Sequence, residues 1–404
     1  MKSKINRRAF AIQSGASILG LSALTGIAAE SAKSSLPLSK EFLERLPKVM
    51  DWAGVPGAQV AVVEKGNLIW KGEFGVKNAE TKDPVTAQTV FPAASLSKPV
   101  FSYAVLKLHE EGKIDINKPL ADYLPIDDIS NDPRAKTITA RHVMSHSSGW
   151  QNWRFQPTDK LQLAFAPGEK FSYSGEGIFY LQRVVEKITG LGLQQFMSER
   201  IFQPLGMKQS SYIWMPDYEK TLTAGHSNRG EVRPSFGAEN IPKMIEIAAK
   251  WNKPLETWSY EDMAKAFPLM DPKLPILPNF MTLNAAASLQ TTATEYAQFL
   301  MQMLDPAKSG KFVLKPETLR EMQTPQIKIN DVLSWGLGIG LENFEGSPYF
   351  WHWGDNGNFK AFVLGHPAKN WGIVIFTNGR NGHKIWERII REATKKDFAS
   401  FLWV

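Results

Sequence analysis

The chain has 404 residues, of which 43% are hydrophobic and 22% charged, and it contains no cysteine. This is the composition of an ordinary globular protein, and the lack of cysteine excludes disulfide scaffolds, thiolate nucleophiles and cysteine-ligated zinc. The formal net charge is +7, but residues 1–29 hold four basic residues and no acid, which leaves +3 for residues 30–404. So small an excess, without a basic run interleaved with aromatics, predicts no nucleic-acid partner.

The first 29 residues have the organisation of an export signal. A basic start that contains Arg7 and Arg8 precedes an apolar stretch rich in small residues, and Ala28 and Ala29 suit signal peptidase. The adjacent arginines, followed by Ala-Phe, resemble a twin-arginine signal. An ordinary secretory signal or an uncleaved anchor is the alternative. We expect a bacterial periplasmic or secreted protein that keeps no stable membrane span after signal cleavage.

Strand patterns lie at both ends of the chain, and helical patterns lie between them. Runs rich in β-branched and aromatic residues predict strands at 58–64, 68–72, 335–341, 349–353, 360–365 and 372–377. Apolar residues at helical spacing predict helices at 97–111, 181–188, 293–303 and 383–396. Seven prolines between residues 234 and 278 predict an irregular insertion that forms one wall of a cleft.

This order of elements predicts the fold class and the domain organisation. A sheet that collects its strands from both termini, with helices inserted between them, is an α+β arrangement. We predict one domain over residues 30–404. Its α/β part spans about 50–110 and 326–404, and its helical insertion spans about 111–325.

The first candidate site is the run Ser95–Lys98, where the chain enters a predicted helix. Residues i and i+3 share a helical face, so Lys98 can place its amine beside the Ser95 hydroxyl. A serine needs such a base to become a nucleophile, burial lowers the pKa of a lysine, and a helix N-terminus offers N–H groups to an oxyanion. Coincidence is the alternative, since about one or two S-x-x-K matches are expected in a chain of this size.

Two further elements carry candidate residues. Tyr173 lies among small residues in the run Phe171–Gly177, where its hydroxyl can project into a cleft and relay a proton. The alternative is a turn with a packing tyrosine. His352 and Gly354 lie on one face of a predicted strand, and glycine on a strand often marks the close approach of a ligand or another backbone. The alternative is a strand with a hydrogen-bonded histidine.

The order and separations of these three elements match the motifs S-x-x-K, Tyr-x-Asn and Lys-Thr-Gly, the last with its His-x-Gly variant. The chain therefore resembles the serine hydrolase family of class C β-lactamases, D-alanyl-D-alanine carboxypeptidases and related esterases. The resemblance extends from about Pro56 to Gly379 and includes connecting segments such as Met144–Trp150 and Ala285–Thr292. It implies a five-stranded antiparallel sheet flanked by helices, a mostly helical inserted subdomain, and a site between the two.

The resemblance also implies roles for individual residues. Ser95 would be the acylated nucleophile, Lys98 the acylation base or its partner, and Tyr173 the relay of the proton toward the leaving group. His352 would line the far side of the site. The backbone N–H groups of Ser95 and Asp355 would form the oxyanion hole. This chemistry requires no metal or other cofactor.

Two positions depart from the family pattern. Gly175 replaces the asparagine whose amide helps to hold the amide carbonyl of the substrate, and Glu176 is a candidate to compensate. Trp353 replaces the small hydroxyl residue that holds the carboxylate of penicillins and D-alanyl peptides, although an indole has one donor and no charge. A neutral His352 also attracts an anion less than a lysine does. We expect carboxyl esters as substrates first, then D-amino-acid amides or peptides, then β-lactams.

Tryptophan is abundant, with 13 residues in the chain. Four of these flank the site elements: Trp150, Trp153, Trp351 and Trp353. We predict an aromatic-lined acyl or glycan pocket in which Trp150 and Trp353 bind the substrate together with Gly354 and Asp355. Ordinary packing of the core is the alternative.

Two classes of function fit these observations. The first is an exported serine hydrolase that forms an acyl-enzyme on an ester or amide. The second is a catalytically inactive, penicillin-binding-like protein that binds a ligand or regulates a partner. The presence of Ser95, Lys98 and Tyr173 together favours the hydrolase. The sequence contains no H-E-x-x-H, P-loop or G-x-S-x-G motif, and it leaves the oligomeric state open.

Overall fold

The computed structural model describes residues 37–125, 132–155, 159–233, 240–270, 279–305 and 314–404. The helices are α1 (Lys40–Ala53), α2 (Ser97–Glu110), α3 (Ala140–Met144), α4 (Gly175–Thr189), α5 (Leu193–Met197), α6 (Gln203–Leu205), α7 (Tyr218–Thr221), α8 (Ile241–Trp251), α9 (Tyr260–Met270), α10 (Ala293–Leu304), α11 (Pro316–Met322), α12 (His383–Thr394) and α13 (Ser400–Trp403). The strands are β1 (Gly57–Glu64), β2 (Asn67–Gly75), β3 (Phe91–Pro92), β4 (Gly225–His226), β5 (Val232–Arg233), β6 (Gln290–Thr291), β7 (Ile327–Lys328), β8 (Leu333–Trp335), β9 (Gly340–Phe344), β10 (Ser347–Asp355), β11 (Lys360–His366) and β12 (Trp371–Thr377). The predicted export signal lies outside the described residues.

The main sheet is antiparallel and has eight strands, in the order β2-β1-β12-β11-β10-β9-β8-β7. The expected five-stranded sheet is therefore too small. Five of the strands, from β2 to β10 in this order, come from residues 57–75 and 347–377, and the three others extend the edge beside β10. They do so because β7, β8 and β9 pair in sequence, with Ile327 opposite Trp335 and Ser334 opposite Leu341.

The sheet separates two hydrophobic cores. Side chains alternate along a strand, and in β1 Val60 and Val62 belong to one core while Ala61 and Val63 belong to the other. The first core packs against α1 and α12, and the second contains residues of α2, α4 and α10. The α+β class predicted from the order of elements is therefore confirmed, with helices on both faces of the sheet.

The start of α4 differs from the prediction. The helix begins at Gly175, six residues before the predicted start at residue 181, so the second half of the tyrosine-containing run is helical. Ser174 is the N-cap, because its side-chain oxygen accepts a 3.0 Å hydrogen bond from the N–H of Gly177. Tyr173 consequently lies one residue before the N-cap of α4.

Two predicted segments are corrected by the structure. In the predicted irregular insertion 234–278, the described residues 240–270 contain the helices α8 and α9, and the remaining residues lie outside the described part of the chain. Proline is tolerated in α8 because Pro242 lies in its first turn, where an N–H has no helical partner. The predicted strand 335–341 is two strands, β8 and β9, because the chain turns between them through Gly338, which has φ +83°.

The edge of β10 positions one side of the candidate site. β9 pairs with β10 from Ser347 to Trp351, whereas β11 pairs with the other side as far as Asp355. Among the described strands, none therefore covers the first side from His352 to Asp355. This open edge lies against the short 3₁₀ turn Ala94–Leu96, which leads into α2. Within the described ranges, no helix is both long and apolar enough to cross a bilayer.

Candidate active site

The structure brings Ser95 and Lys98 into contact at the start of α2. The Lys98 Nζ atom donates a 3.0 Å hydrogen bond to Ser95 Oγ and a 2.9 Å hydrogen bond to the carbonyl of Ala286. The lysine is 1% exposed, and this burial lowers its pKa to about 7. A large fraction of the amine is therefore neutral near pH 7, and in that form it can accept the Ser95 proton while still donating to Ala286.

The second serine of the motif holds the turn that presents Ser95. Ala94 has φ +49°, a left-handed conformation that costs energy for a residue other than glycine. Ser97 Oγ donates to the carbonyl of Ala94 at 2.6 Å and accepts from the N–H of Leu289 at 3.0 Å. The N–H of Ala93 also donates to the carbonyl of Leu289 at 2.7 Å. These bonds fix the strained turn, so Ser97 has a structural role.

Tyr173 stands directly beside this pair. The Lys98 Nζ atom lies 4.7 Å from the centroid of the Tyr173 ring. Within the described part of the chain, the buried Tyr173 hydroxyl has no partner with hydrogen-bond geometry. Burial raises its pKa, and the nearby Ser95 hydroxyl offsets only part of that rise. The phenol therefore keeps its proton at neutral pH, as a group that donates or relays a proton must.

His352, on β10, faces the cluster formed by Ser95, Lys98 and Tyr173. Its side chain is fully buried, and its Nδ1 atom lies 2.7 Å from the carbonyl of Trp353. Because a carbonyl only accepts, Nδ1 carries the proton and Nε2 presents a lone pair, with no partner among the described residues. Burial, reinforced by the charge of Lys98, lowers the His352 pKa to about 3. This histidine is neutral at physiological pH.

His146 is a second buried histidine at the site, and the sequence motifs predict no role for it in the reaction. Its Nδ1 atom accepts a 3.1 Å hydrogen bond from the N–H of Ser174, so its Nε2–H is a donor without a described partner. Burial lowers its pKa well below the usual range. The residue adopts φ +54°.

Among the described residues, no group of histidines and carboxylates forms a metal site.

Gly354 and Asp355 occupy the open edge of β10. A Cβ atom at Gly354 would lie 2.5 Å from the carbonyl oxygen of Ala93, so the close approach of two backbones requires glycine here. The Asp355 carboxylate forms an ion pair with Lys360 and accepts a hydrogen bond of 2.8 Å from the N–H of Gly357. The Asp355 carboxylate is thus engaged by Lys360 and Gly357. The role of the Asp355 N–H in an oxyanion hole stays a prediction.

The four tryptophans near the motifs fall into two groups. Trp150 and Trp351 are fully buried in the two cores, Trp150 against Tyr180 with their rings 5.5 Å apart. This burial favours the alternative of core packing for Trp150, and its part in a substrate pocket stays a prediction. Trp153 and Trp353 are only partly buried. The ring of Trp353 lies 4.8 Å from that of Tyr173 and therefore borders the cluster.

Glu176 does not take the place of the missing asparagine. It is 1% exposed, and its Oε2 atom accepts hydrogen bonds from Arg154 Nη2 at 2.9 Å and from Asn279 Nδ2 at 2.8 Å. Its Oε1 atom accepts from the N–H of Arg154 at 3.0 Å. Both oxygens of this carboxylate are therefore committed to a buried ion pair that joins the segment around residue 154 to α4.

A serine, a buried lysine and a tyrosine at a helix start, set against the open edge of an antiparallel sheet, define the serine β-lactamase and penicillin-binding class of fold. The chain belongs to the β-lactamase family, whose model, described as Beta-lactamase, matches residues 44–395.

Individual proteins show the same relationship. The chain is 24% identical over 359 residues to penicillin-binding protein 4 of Amycolatopsis lactamdurans, covering 84% of each protein. It is 22% identical over 346 residues to protein flp of Staphylococcus aureus (strain MW2), covering 80% of this chain but only 60% of the length of flp. A solved structure described as a class C β-lactamase has the same fold, with a TM-score of 0.66, 17% identity, and coverage of 88% of this chain and 96% of that chain.

Proposed function

We propose that this protein is an exported serine hydrolase that forms an acyl-enzyme on Ser95 with an ester or amide substrate. One observation carries the proposal: Lys98 Nζ lies 3.0 Å from Ser95 Oγ in an environment that lowers the lysine pKa to about 7. A serine hydroxyl is a weak nucleophile until an adjacent base takes its proton, and a neutral lysine is such a base. Membership of the β-lactamase family supports the same reaction class.

The proposed reaction proceeds in two steps. Ser95 Oγ attacks the carbonyl carbon while its proton passes to the Lys98 amine, and the backbone N–H groups of Ser95 and Asp355 stabilise the oxyanion. The bond from carbon to the leaving alcohol or amine then breaks. The leaving group takes a proton from Tyr173, which regains one from the Lys98 ammonium. Water attacks the resulting acyl-serine, releases the carboxylic acid and restores the hydroxyl.

The charges around the site favour a substrate without a carboxylate beside the reacting bond. His352 is neutral because burial lowers its pKa to about 3. Trp353 has no charge, and the Lys360 ammonium is paired with Asp355. We therefore place carboxyl esters first, D-amino-acid amides or peptides second and β-lactams third.

Export is part of the proposal and rests on residues 1–29. Their basic start, arginine pair, apolar stretch and small residues support a twin-arginine or secretory signal. The proposed location is the periplasm or the medium. Western blotting of periplasmic and cytoplasmic fractions shows where the processed chain is located. The comparison of wild type with the double variant Arg7→Lys/Arg8→Lys tests the proposed location and signal.

The reaction is tested by intact-protein mass after incubation with a fluorophosphonate probe. Wild type should gain one adduct and hydrolyse p-nitrophenyl acetate, whereas Ser95→Ala should do neither. Ser102→Ala is the matched control, because Ser102 is buried on the same helix and its Oγ has no partner among the described residues. A folded wild type that gains no adduct would favour the catalytically inactive, ligand-binding alternative.

A further inference from the structure

The space that a side chain at Gly175 would need is filled by the indole of Trp153. A Cβ atom at this position would lie 2.2 Å from Cζ2 and 2.4 Å from Cε2 of Trp153. Real Cβ atoms essentially never approach another atom within 3.0 Å. The backbone of Gly175 is helical, so the constraint is steric and not conformational. The glycine and the indole are therefore a coupled pair.

Trp153 is held in this position by the residues on both sides of it. The N–H of Gly175 donates to Asn152 Oδ1, and the N–H of Glu176 donates to the carbonyl of Asn152, both at 2.9 Å. On the other side, Arg154 pairs with Glu176, and the two side chains are 6% and 1% exposed. Buried charges that are paired and hydrogen-bonded resist separation, since parting them would leave a charge unpaired. The indole is thus preorganised against the start of α4.

Trp153 continues outward into other aromatic rings. Its ring centroid lies 6.2 Å from that of Phe280, which lies 5.7 Å from that of Phe155. Phe155 is 75% exposed. We call Trp153, Phe155 and Phe280 the aromatic rim. Arg154 is paired with Glu176. Residues 152–155 therefore present aromatic rings here and no unpaired charged side chain. Phe155 is exposed and the rings of Trp153 and Phe280 beside it are partly buried, and contiguous apolar surface that reaches solvent marks a binding site more often than a single exposed residue does.

The aromatic rim adjoins the reacting residues. Gly175, on which the Trp153 ring lies, is two residues after Tyr173, and two residues span at most about 7 Å. The Tyr173 ring lies 4.7 Å from Lys98 Nζ, which donates a hydrogen bond to Ser95 Oγ. The backbone that carries Tyr173 is therefore in contact, at Gly175, with the Trp153 end of the rim.

We propose that the aromatic rim is the acyl-binding site of this hydrolase, and that it selects carboxyl esters whose acyl group is a long aliphatic chain or an aromatic ring. This inference rests on the proposed function. In this proposal the apolar acyl group lies against the Trp153 indole, which fills the space that a side chain at residue 175 would need. Transfer of that apolar group from water onto the aromatic faces provides the selectivity.

The first test compares hydrolysis of p-nitrophenyl acetate, octanoate and phenylacetate by the full-length chain, and both the octanoate and the phenylacetate should be preferred to the acetate. We expect kcat/KM for phenylacetate to exceed that for acetate by at least ~10-fold, because apolar groups in a fitted pocket give selectivity of this order. Trp153→Ala should lower that ratio by about 10-fold, mainly through KM. Trp52→Ala is the matched control, since Trp52 is 74% exposed on α1, and it should leave the ratio unchanged. An unchanged ratio in Trp153→Ala would overturn the proposal.

A pair of variants tests the coupling with Gly175. Gly175→Asn alone should lower the melting temperature and ester hydrolysis, because the new side chain meets the indole. The double variant Trp153→Ala/Gly175→Asn should recover the melting temperature toward that of Trp153→Ala. It should also lose the preference for phenylacetate. A Gly175→Asn variant as stable and as selective as wild type would contradict the placement of the indole.

Binding separates failure of this inference from failure of the proposed function. Calorimetric titration of Ser95→Ala with methyl phenylacetate and methyl acetate does not depend on turnover. Tighter binding of the phenylacetate that requires Trp153 supports the rim even if no ester is hydrolysed, which would contradict the proposed function alone. Ser95-dependent hydrolysis without any dependence on Trp153, in turnover and in binding, supports the function and overturns the rim.

Discussion

The imidazole of His146 lies 4.1 Å from the ring of Tyr173 and accepts a hydrogen bond from the N–H of the next residue, Ser174. The same imidazole lies 5.2 Å from the ring of Trp335. His146 thus contacts Tyr173 through its ring and through the backbone that follows it. We infer that this histidine fixes the position of the Tyr173 hydroxyl relative to Ser95.

Replacement of His146 tests that relationship. We expect His146→Phe to lower kcat by about 10- to 100-fold with little change in KM, because small misplacements of a reacting group carry penalties of this size. His146→Asn should retain more activity, since its Oδ1 can accept from Ser174 and asparagine tolerates a positive φ. Steady-state kinetics with p-nitrophenyl acetate give both constants. His109→Phe is the control on α2, and a wild-type kcat in His146→Phe would refute the positioning role.

The acylation rate should follow the protonation of Lys98. The amine accepts a proton only when neutral, so the rate should rise with pH up to about 7, where the pKa of the buried lysine lies, and level off above it. Stopped-flow burst kinetics between pH 5 and 9 measure this profile. Lys98→Ala should slow acylation by at least ~10²-fold. His352 adds no inflection in this range because its pKa is about 3. An unchanged rate in Lys98→Ala would exclude the lysine as the base.

Burial of Lys98 should also make stability depend on pH. Its pKa is about 7 in the folded chain against 10.5 for an unperturbed lysine, so between these values the unfolded chain binds more protons and the folded state gains stability as pH rises. Lys98→Met should therefore stabilise the fold most below pH 7. This advantage should shrink by about 3 kcal/mol from pH 6 to pH 9, at about 1.4 kcal/mol per pH unit above pH 7. Urea unfolding measures the difference, with exposed Lys113→Met as the control; a constant difference would contradict the shift.

Trp353 should decide how the site treats a carboxylate. Its ring lies 4.8 Å from Tyr173 and 5.1 Å from Trp403, and threonine there would provide a hydroxyl and more space. We expect Trp353→Thr to raise kcat/KM for D-alanyl peptides or penicillins relative to a neutral ester by about 10-fold, the range of one good hydrogen bond to a charge. Hydrolysis of both substrate types by wild type, Trp353→Thr and the half-buried strand control Trp371→Thr provides the comparison. No relative gain would refute this interpretation of the position.

Local patterns predicted the elements whose structure depends on near neighbours. The hairpin β1–β2, the strands β10 to β12 and the helices α2, α10 and α12 follow the alternation and helical periodicity of their own residues. The errors have non-local causes. α8 and α9 are helical despite their prolines because their apolar faces, including Ile247 and Phe267, pack into a small core of their own. The sheet is wider than the five strands that the resemblance implies because β7, β8 and β9 pair at its edge, and of these three the sequence pattern predicted only part of β8 and β9, as one strand.

The sequence by itself determined the chemistry that spacing controls: Ser95 and Lys98 share a helical face because they are three residues apart, and Tyr173 and His352 belong to recognisable motifs. Only the tertiary structure decided how those groups behave. The carbonyl of Ala286, 188 residues from Lys98, holds its amine, and packing from all sides removes the water that would keep it charged. The same holds for Trp153, whose indole fills the space beside Gly175. Burial and steric exclusion depend on which segments, far apart in the sequence, pack against each other. The spacing of residues along the chain does not contain that information.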